Sequence, residues 1–301
     1  MDLRQMKYFL ALAEELNFGR AAQRLHMAQP PLTRQIRGIE EELGTTLFLR
    51  TPKGVELTAA GQALLDEVPN ILSLAERARE RTLRAGQGLS GKLDVGIFGS
   101  GVLDVIPRLL ATFHRARPEV RIELHNQTKS EQLQALRERR IAIGFNRLVP
   151  PEPGLAVLPV LQEPLVVGLP ETHRLCERTE VALHELDDEP MILYPNVPLH
   201  GLAQEVGRAF DREGLRLNVA QSVEDVLTCV ALVAGGFGCC ITTPSATSLR
   251  LPGVTYRPLR SRHLHDIELS CLYRSDDPSP VLAAFLDMVR AFAAERAGAR
   301  G

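Results

Sequence analysis

The feature that most limits the fold is the spacing of apolar residues over positions 3–44. Leu3, Met6, Phe9, Leu10, Ala13 and Leu16 recur at helical intervals and give one amphipathic helix. A second helix is read from Phe18 to His26 and a third from Gln29 to Leu43, with only Met27 and Ala28 between them. So short a joint forces the two helices to cross steeply instead of lying antiparallel. That is helix-turn-helix geometry. Leu47-Phe48-Leu49-Arg50 and Val55-Glu56-Leu57 then read as short strands around Thr51-Pro52-Lys53-Gly54, whose Pro and Gly favour a turn, and together form a β-wing.

From Thr58 a long helix carries Gly61, Leu64, Leu65, Val68, Ile71, Leu72, Ala75 and Ala78 on one stripe, which needs a partner and suggests a dimer. Pro69 inside it predicts a kink or two separate helices. Gly86, Gly88, Ser90 and Gly91 mark a flexible hinge. Beyond it the pattern changes to strands alternating with helices, which predicts α/β architecture with mostly parallel sheets. Expected strands are 92–98, 120–125, 141–145, 155–160, 164–168, 191–194, 215–221, 239–242 and 267–273, with helices near 102–116, 129–138, 201–213, 223–234 and 280–294. A chain of 301 residues is long for a single core, so at least two folding units are expected.

A formal net charge of -2 does not advertise nucleic-acid binding, so any such role must come from local charge. Arg20, Arg24, Arg34 and Arg37 fall between Phe18 and Ile39 with no acidic residue among them. Gln29, Pro30, Pro31, Thr33 and Arg34 stand at the N-terminal end of the third helix, the end that enters the major groove in this motif. Gln pairs with adenine, Arg with guanine, and Thr reaches a phosphate or a thymine methyl. Arg50 and Lys53 on the wing are placed for flanking contacts. Arginines on an amphipathic helix are also commonly just a solvated face.

The run from Phe18 through Ile36, followed by Glu40 to Gly44, Leu47-Phe48, Arg50, Lys53-Gly54, Leu57-Thr58 and Gly61, closely resembles the N-terminal signature of the LysR-type transcriptional regulators. The resemblance implies a winged helix-turn-helix over 1–58, a linker and dimerisation helix with a hinge over 59–88, and an effector-binding domain over 89–301. That last part would be a two-lobed α/β domain like a periplasmic binding protein, with one lobe from 89–162 and 267–301 and the other from 163–266. It implies double-stranded promoter DNA, RNA polymerase, a small effector and a second copy of the chain as partners, often as a tetramer.

Ligands of open α/β sheets bind beyond the carboxyl ends of strands, at helix N-termini. Gly99-Ser100-Gly101, Gln127-Thr128-Lys129 and Asn146-Arg147 all follow strand ends, and their hydroxyls, free N–H groups and arginine suit a carboxylate. These segments and Tyr194-Pro195-Asn196-Val197-Pro198 resemble the LysR branch that controls benzoate, catechol and chlorocatechol degradation, whose effectors are muconates or similar acids. On that resemblance Ser100, Gly101 and Thr128 hold a carboxylate, with Asn196, Pro198 and Leu199 contributing from the second lobe. Ser100 and Thr128 could equally be helix caps, and Arg147 either an effector contact or an interdomain salt bridge.

Other chemistry is not indicated. No G-x-S-x-G elbow, H-E-x-x-H, Walker loop or complete Rossmann fingerprint is present, so no catalytic residues and no cofactor are expected. Gly235-Gly236-Phe237-Gly238 lacks a phosphate loop's Lys-Ser/Thr ending and reads as a helix C-cap. The five cysteines, an odd number without a C-x-x-C pair, argue against zinc or a disulfide framework. Cys229, Cys239 and Cys240 fall in buried-looking runs, which weakens the alternative of a regulator with a redox trigger. Absence of an apolar leader or an eighteen-residue apolar run points to a cytoplasmic protein with no membrane partner.

Overall fold

The computed structural model describes residues 1–51, 54–195 and 201–298, and the chain divides into two compact units, Met1–Arg84 and Ala85–Gly301. The first unit holds α1 (Leu3–Glu15), α2 (Phe18–Arg24), α3 (Gln29–Leu43), β1 (Phe48–Thr51), β2 (Gly54–Leu57) and most of α4 (Ala59–Gly86). Asp2 caps α1 by accepting from the N–H groups of Arg4 and Gln5, while Asn17 caps α2 by accepting from Arg20. The helical stripes meet at Phe9, Leu12, Leu32, Ile36, Ile39 and Leu47, all essentially sealed from solvent. Each such side chain contributes about 1.5–3 kcal/mol of burial. The wing is tied to α3 by Glu40, whose carboxylate accepts from the N–H groups of Leu47 at 2.8 Å and Phe48 at 3.2 Å.

The long helix departs from expectation in two ways. Pro69 does not divide α4, which runs unbroken from Ala59 to Gly86. A proline removes one backbone bond, and here the turns on either side are held by packing: Val68 is fully buried, with Leu64, Leu65 and Leu72 against the same core. Much of the predicted dimer stripe is therefore covered by its own unit. Ile71, Leu74 and Leu83 remain exposed.

The second unit opens with β3 (Ser90–Ile97), α5 (Val105–Ala116), β4 (Glu119–Asn126), α6 (Lys129–Arg137), β5 (Ile143–Arg147) and β6 (Leu155–Glu163). There follow β7 (Val166–Pro170), β8 (Val181–Ala182), β9 (Pro190–Leu193), α7 (Leu202–Glu213), β10 (Asn218–Ser222), α8 (Val226–Ala234), β11 (Cys240–Thr242) and β12 (Val254–Arg260). The chain then returns through β13 (Ile267–Arg274) and ends in α9 (Pro280–Gly298). The first lobe is a five-stranded sheet ordered β4-β3-β5-β13-β6; the second holds the order β11-β7-β12-β8 and the pair β10-β9. In the first lobe α5 and α9 cover one face, where Phe285 stacks edge-on against Phe113 at 5.0 Å and Phe145 at 6.3 Å.

The sheets are mixed, not mostly parallel. β3 pairs parallel with β4 and β5, but β13 is antiparallel to both β5 and β6. β6 leaves for the second lobe and β13 comes back, so two crossings laid side by side must run in opposite directions. β12 was not anticipated, because Pro258 and two arginines obscure its alternation. One glycine of the expected hinge is closely packed. Gly88, at φ +66°, lies so close to α9 that a Cβ there would stand 2.5 Å from the carbonyl oxygen of Pro280.

Candidate nucleic-acid interface and ligand cleft

On α3 the helical period separates two faces. Leu32, Ile36 and Ile39 point into the core, while Gln29, Pro30, Arg34 and Arg37 are exposed and Pro31 and Thr33 are partly so. Ala28 supplies no side-chain cap, and Pro30 and Pro31 lack backbone donors, so this helix start presents side chains more than a ring of N–H groups. The four arginines are not equivalent. Arg20 pairs with Glu15 at 3.2 Å, and Arg24 with Glu14 at 2.6 Å, which holds the Arg24 guanidinium above its ordinary pKa. Arg34 and Arg37 have no acidic partner among the described residues, so the uncompensated positive charge lies on α3. Arg50 on β1 sits over the ring of Phe18 at 5.0 Å, and Lys53 lies outside the described residues.

Between the lobes of the second unit lies a narrow cleft of about 50 Å³ lined by Phe98, Ser100, Lys129, Asn146 and Arg147 from one lobe and Tyr194, Leu202 and Thr243 from the other. Three strand ends of the first lobe converge on it. After β3, Gly99 takes φ +73°, which favours glycine, and turns the chain into a short 3-10 segment, Ser100–Leu103. Ser100 Oγ lies 2.9 Å from Thr243 Oγ1, a hydroxyl–hydroxyl bond across the lobes. After β4, Thr128 caps α6 through a reciprocal pair with Glu131 and itself donates to the Glu131 carboxylate at 2.8 Å. After β5 come Asn146 and Arg147.

The cleft's charges are buried and anchored. Lys129, 5 % exposed, donates to the carbonyl of Leu148 at 2.9 Å, and burial pushes its ammonium pKa down to about 8. Arg147 makes an ion pair with Glu163 and donates to the carbonyl of Ile267 at 3.3 Å. The second oxygen of Glu163 accepts from Ser245 Oγ at 2.7 Å, so Arg147 is tied through Glu163 to the second lobe. Tyr194 donates to or accepts from Thr242, and burial raises its phenol well above the usual range.

Of the residues read from the sequence, Ser100 and Arg147 line the cleft. Thr128 is engaged at the start of α6, and Gly101 faces inward, where a Cβ would stand 3.3 Å from Ile106 and Leu269. Asn196, Pro198 and Leu199 lie outside the described residues. Lys129 was readable as the residue after a strand-end cap but was not singled out. Thr243 had no such signal, being 143 positions from the serine it meets. Elsewhere Asp94, Glu123 and His125 place metal-ligating atoms together, but the ammonium of Lys92 already sits 2.8 Å from both carboxylates.

Residues 3–62 match the family model described as bacterial regulatory helix-turn-helix protein, lysR family, and residues 86–294 match the LysR substrate binding domain. The chain belongs to the LysR family. It is a LysR-type transcriptional regulator, and the proteins it resembles are regulators, not enzymes. It is 36% identical over 289 residues to the HTH-type transcriptional regulator ClcR of Pseudomonas putida, covering 96% of this chain and 98% of that one. Among solved LysR structures, full-length CbnR complexed with its target DNA superposes with a TM-score of 0.87 at 34% identity, covering 97% of this chain and 100% of CbnR. The BenM effector binding domain holding its effector benzoate superposes with a TM-score of 0.62 at 27% identity, over 68% of this chain and 93% of BenM's domain.

Proposed function

We propose that this regulator is a cytoplasmic transcription activator of the aromatic-degradation branch that senses a small carboxylate, such as a muconate or an aromatic acid, in the cleft between its lobes. The observation that carries this reading is the cleft itself, where two cations, the buried Lys129 and the partly buried Arg147, stand beside the Ser100 hydroxyl at the end of three strands. An anion beside Lys129 would return its pKa from about 8 toward 10.5, a gain of at most roughly 3 kcal/mol before solvent screening. Thr128 enters the site through the helix that it caps.

On this reading α3 lies in the major groove of promoter DNA, with Gln29, Thr33 and Arg34 toward base edges, Arg20 and Arg37 toward phosphates, and Arg50 and Lys53 flanking. The exposed side of α4 at Ile71 and Leu74 joins two copies, and pairing of sensor units gives a tetramer. Effector closing the cleft shifts the relative placement of the DNA-reading units, and with it the bend or spacing imposed on DNA and the access of RNA polymerase. A redox trigger has little support, because burial pushes the thiols of Cys239 and Cys271 up to about 12, and the hydrogen bond with Cys240 together with burial raises that of Cys229.

The test is a gel shift of purified protein on DNA upstream of its own gene, with and without cis,cis-muconate, chloromuconates and benzoate. A specific complex whose mobility or footprint changes with one acid supports the reading. Specific binding indifferent to every acid removes the effector class, and no specific binding at low salt removes the DNA-reading assignment.

A further inference from the structure

One polar group of the cleft is oriented from behind. Gln132 on α6 is 1 % exposed, and its Nε2 donates to the backbone carbonyl of Gln127 at 2.9 Å. A carbonyl accepts and never donates, so the Gln132 amide has a single orientation and its Oε1 faces the other way. That oxygen lies 2.7 Å from the amide nitrogen of Asn146, which orients Asn146 in turn. Two glycines make room for the arrangement. A Cβ on Gly144 would stand 2.2 Å from Gln132 Oε1, and one on Gly96 would stand 2.9 Å from its side-chain carbons.

Asn146 is 4 % exposed, lines the cleft, and makes no other side-chain hydrogen bond among the described residues. With its nitrogen held by Gln132, Asn146 keeps its Oδ1 as the acceptor it offers the cleft that it lines. A carboxylate cannot satisfy that atom, since both groups only accept. A ligand that serves it carries a hydrogen-bond donor beside its acid group.

We infer that the effector is a hydroxy acid, its carboxylate toward Lys129 and Arg147 and its hydroxyl donating to Asn146. Asn146 is then a specificity-determining residue and Gln132 the residue that positions it. This rests on the reading of the cleft as a carboxylate site and narrows it.

Calorimetric titration of the full-length protein with paired acids tests the inference: benzoate against 2-hydroxybenzoate, propionate against lactate, succinate against malate. In at least one pair the hydroxylated acid should bind about tenfold more tightly, because its plain counterpart leaves a buried acceptor unpaired. Asn146→Ala should remove that preference. Gln132→Leu, which frees the Asn146 amide to flip, should weaken the preference without abolishing binding. Acids that bind with no preference in any pair overturn the hydroxy-acid inference and leave the carboxylate reading standing. A preference that survives Asn146→Ala overturns the role of Asn146. If no acid binds, the carboxylate reading falls and this inference with it. The wild-type pairs decide the ligand class even where a variant fails to fold.

Discussion

The exposed face of α3 and the cleft between the lobes both gather positively charged side chains, yet they hold them in opposite ways. Arg34 and Arg37 stand in solvent with no acidic partner among the described residues, whereas the buried Lys129 and the partly buried Arg147 are tied to Leu148, Glu163 and Ile267. An exposed arginine costs little to keep and draws in a polyanion whose own counterions are released, so its contribution is salt-sensitive. A buried ammonium is costly to keep charged, and a ligand anion recovers that cost at short range. On the proposed function, reading a long charged surface and recognising one small acid call for different architectures in one chain.

The largest expected effect tests the buried side of this contrast. Lys129→Met should lower affinity for the acid found in the gel shift about 100-fold, measured by calorimetry, while leaving DNA binding without effector unchanged. Unchanged affinity would mean that the cation does not face the ligand. On the exposed side, Arg34→Ala should weaken specific operator binding about 5- to 150-fold and relax sequence preference, whereas Arg24→Ala, whose charge Glu14 already balances, should cost far less. Equal losses from the two would erase the distinction between paired and unpaired arginines.

The pH dependence sharpens the contrast further. Lys129 in the free protein titrates near 8, and an anion binds its protonated form, so effector affinity is full below pH 8 and falls up to about tenfold per pH unit above it. Carboxylic acids are ionised throughout that range, so the slope belongs to the protein, and it should flatten in Lys129→Met. Thr128→Ala should cost about 1 kcal/mol in denaturant unfolding through the lost cap of α6. Any loss of effector affinity beyond that of the helix start would show that Thr128 also reaches the ligand. Smallest of all, mild peroxide should leave operator binding unchanged, since Cys229, Cys239, Cys240 and Cys271 are buried and burial pushes the thiols of Cys239 and Cys271 up to about 12.

The two sites were also unequally legible. The face of α3 follows from helical period alone, because residues that share a face lie within two turns of one another, and the unbroken run from Phe18 to Ile36 named the family. Ser100 and Arg147 were found by a weaker rule, that ligands sit at strand ends. The same rule brought up Gly101, which turns inward against Leu269, and passed over Lys129. Pro69 suggested a kink or two helices because a local rule has no knowledge of the core on either side of it, yet the helix stays one, while among the glycines of the expected hinge Gly88 is packed against the start of α9.

By itself the sequence determined the helix-turn-helix, the wing, the change to α/β architecture and the family, since each depends on neighbours a few residues apart. Tertiary structure decided which arginines are already neutralised, that the crossing strands β6 and β13 pair antiparallel, and that Gln132 fixes the Asn146 amide. It also brought Thr243 to Ser100 from 143 positions away. Those facts depend on where distant segments meet, and the energy of a buried charge or amide is set by the groups that surround it, whatever their distance along the chain.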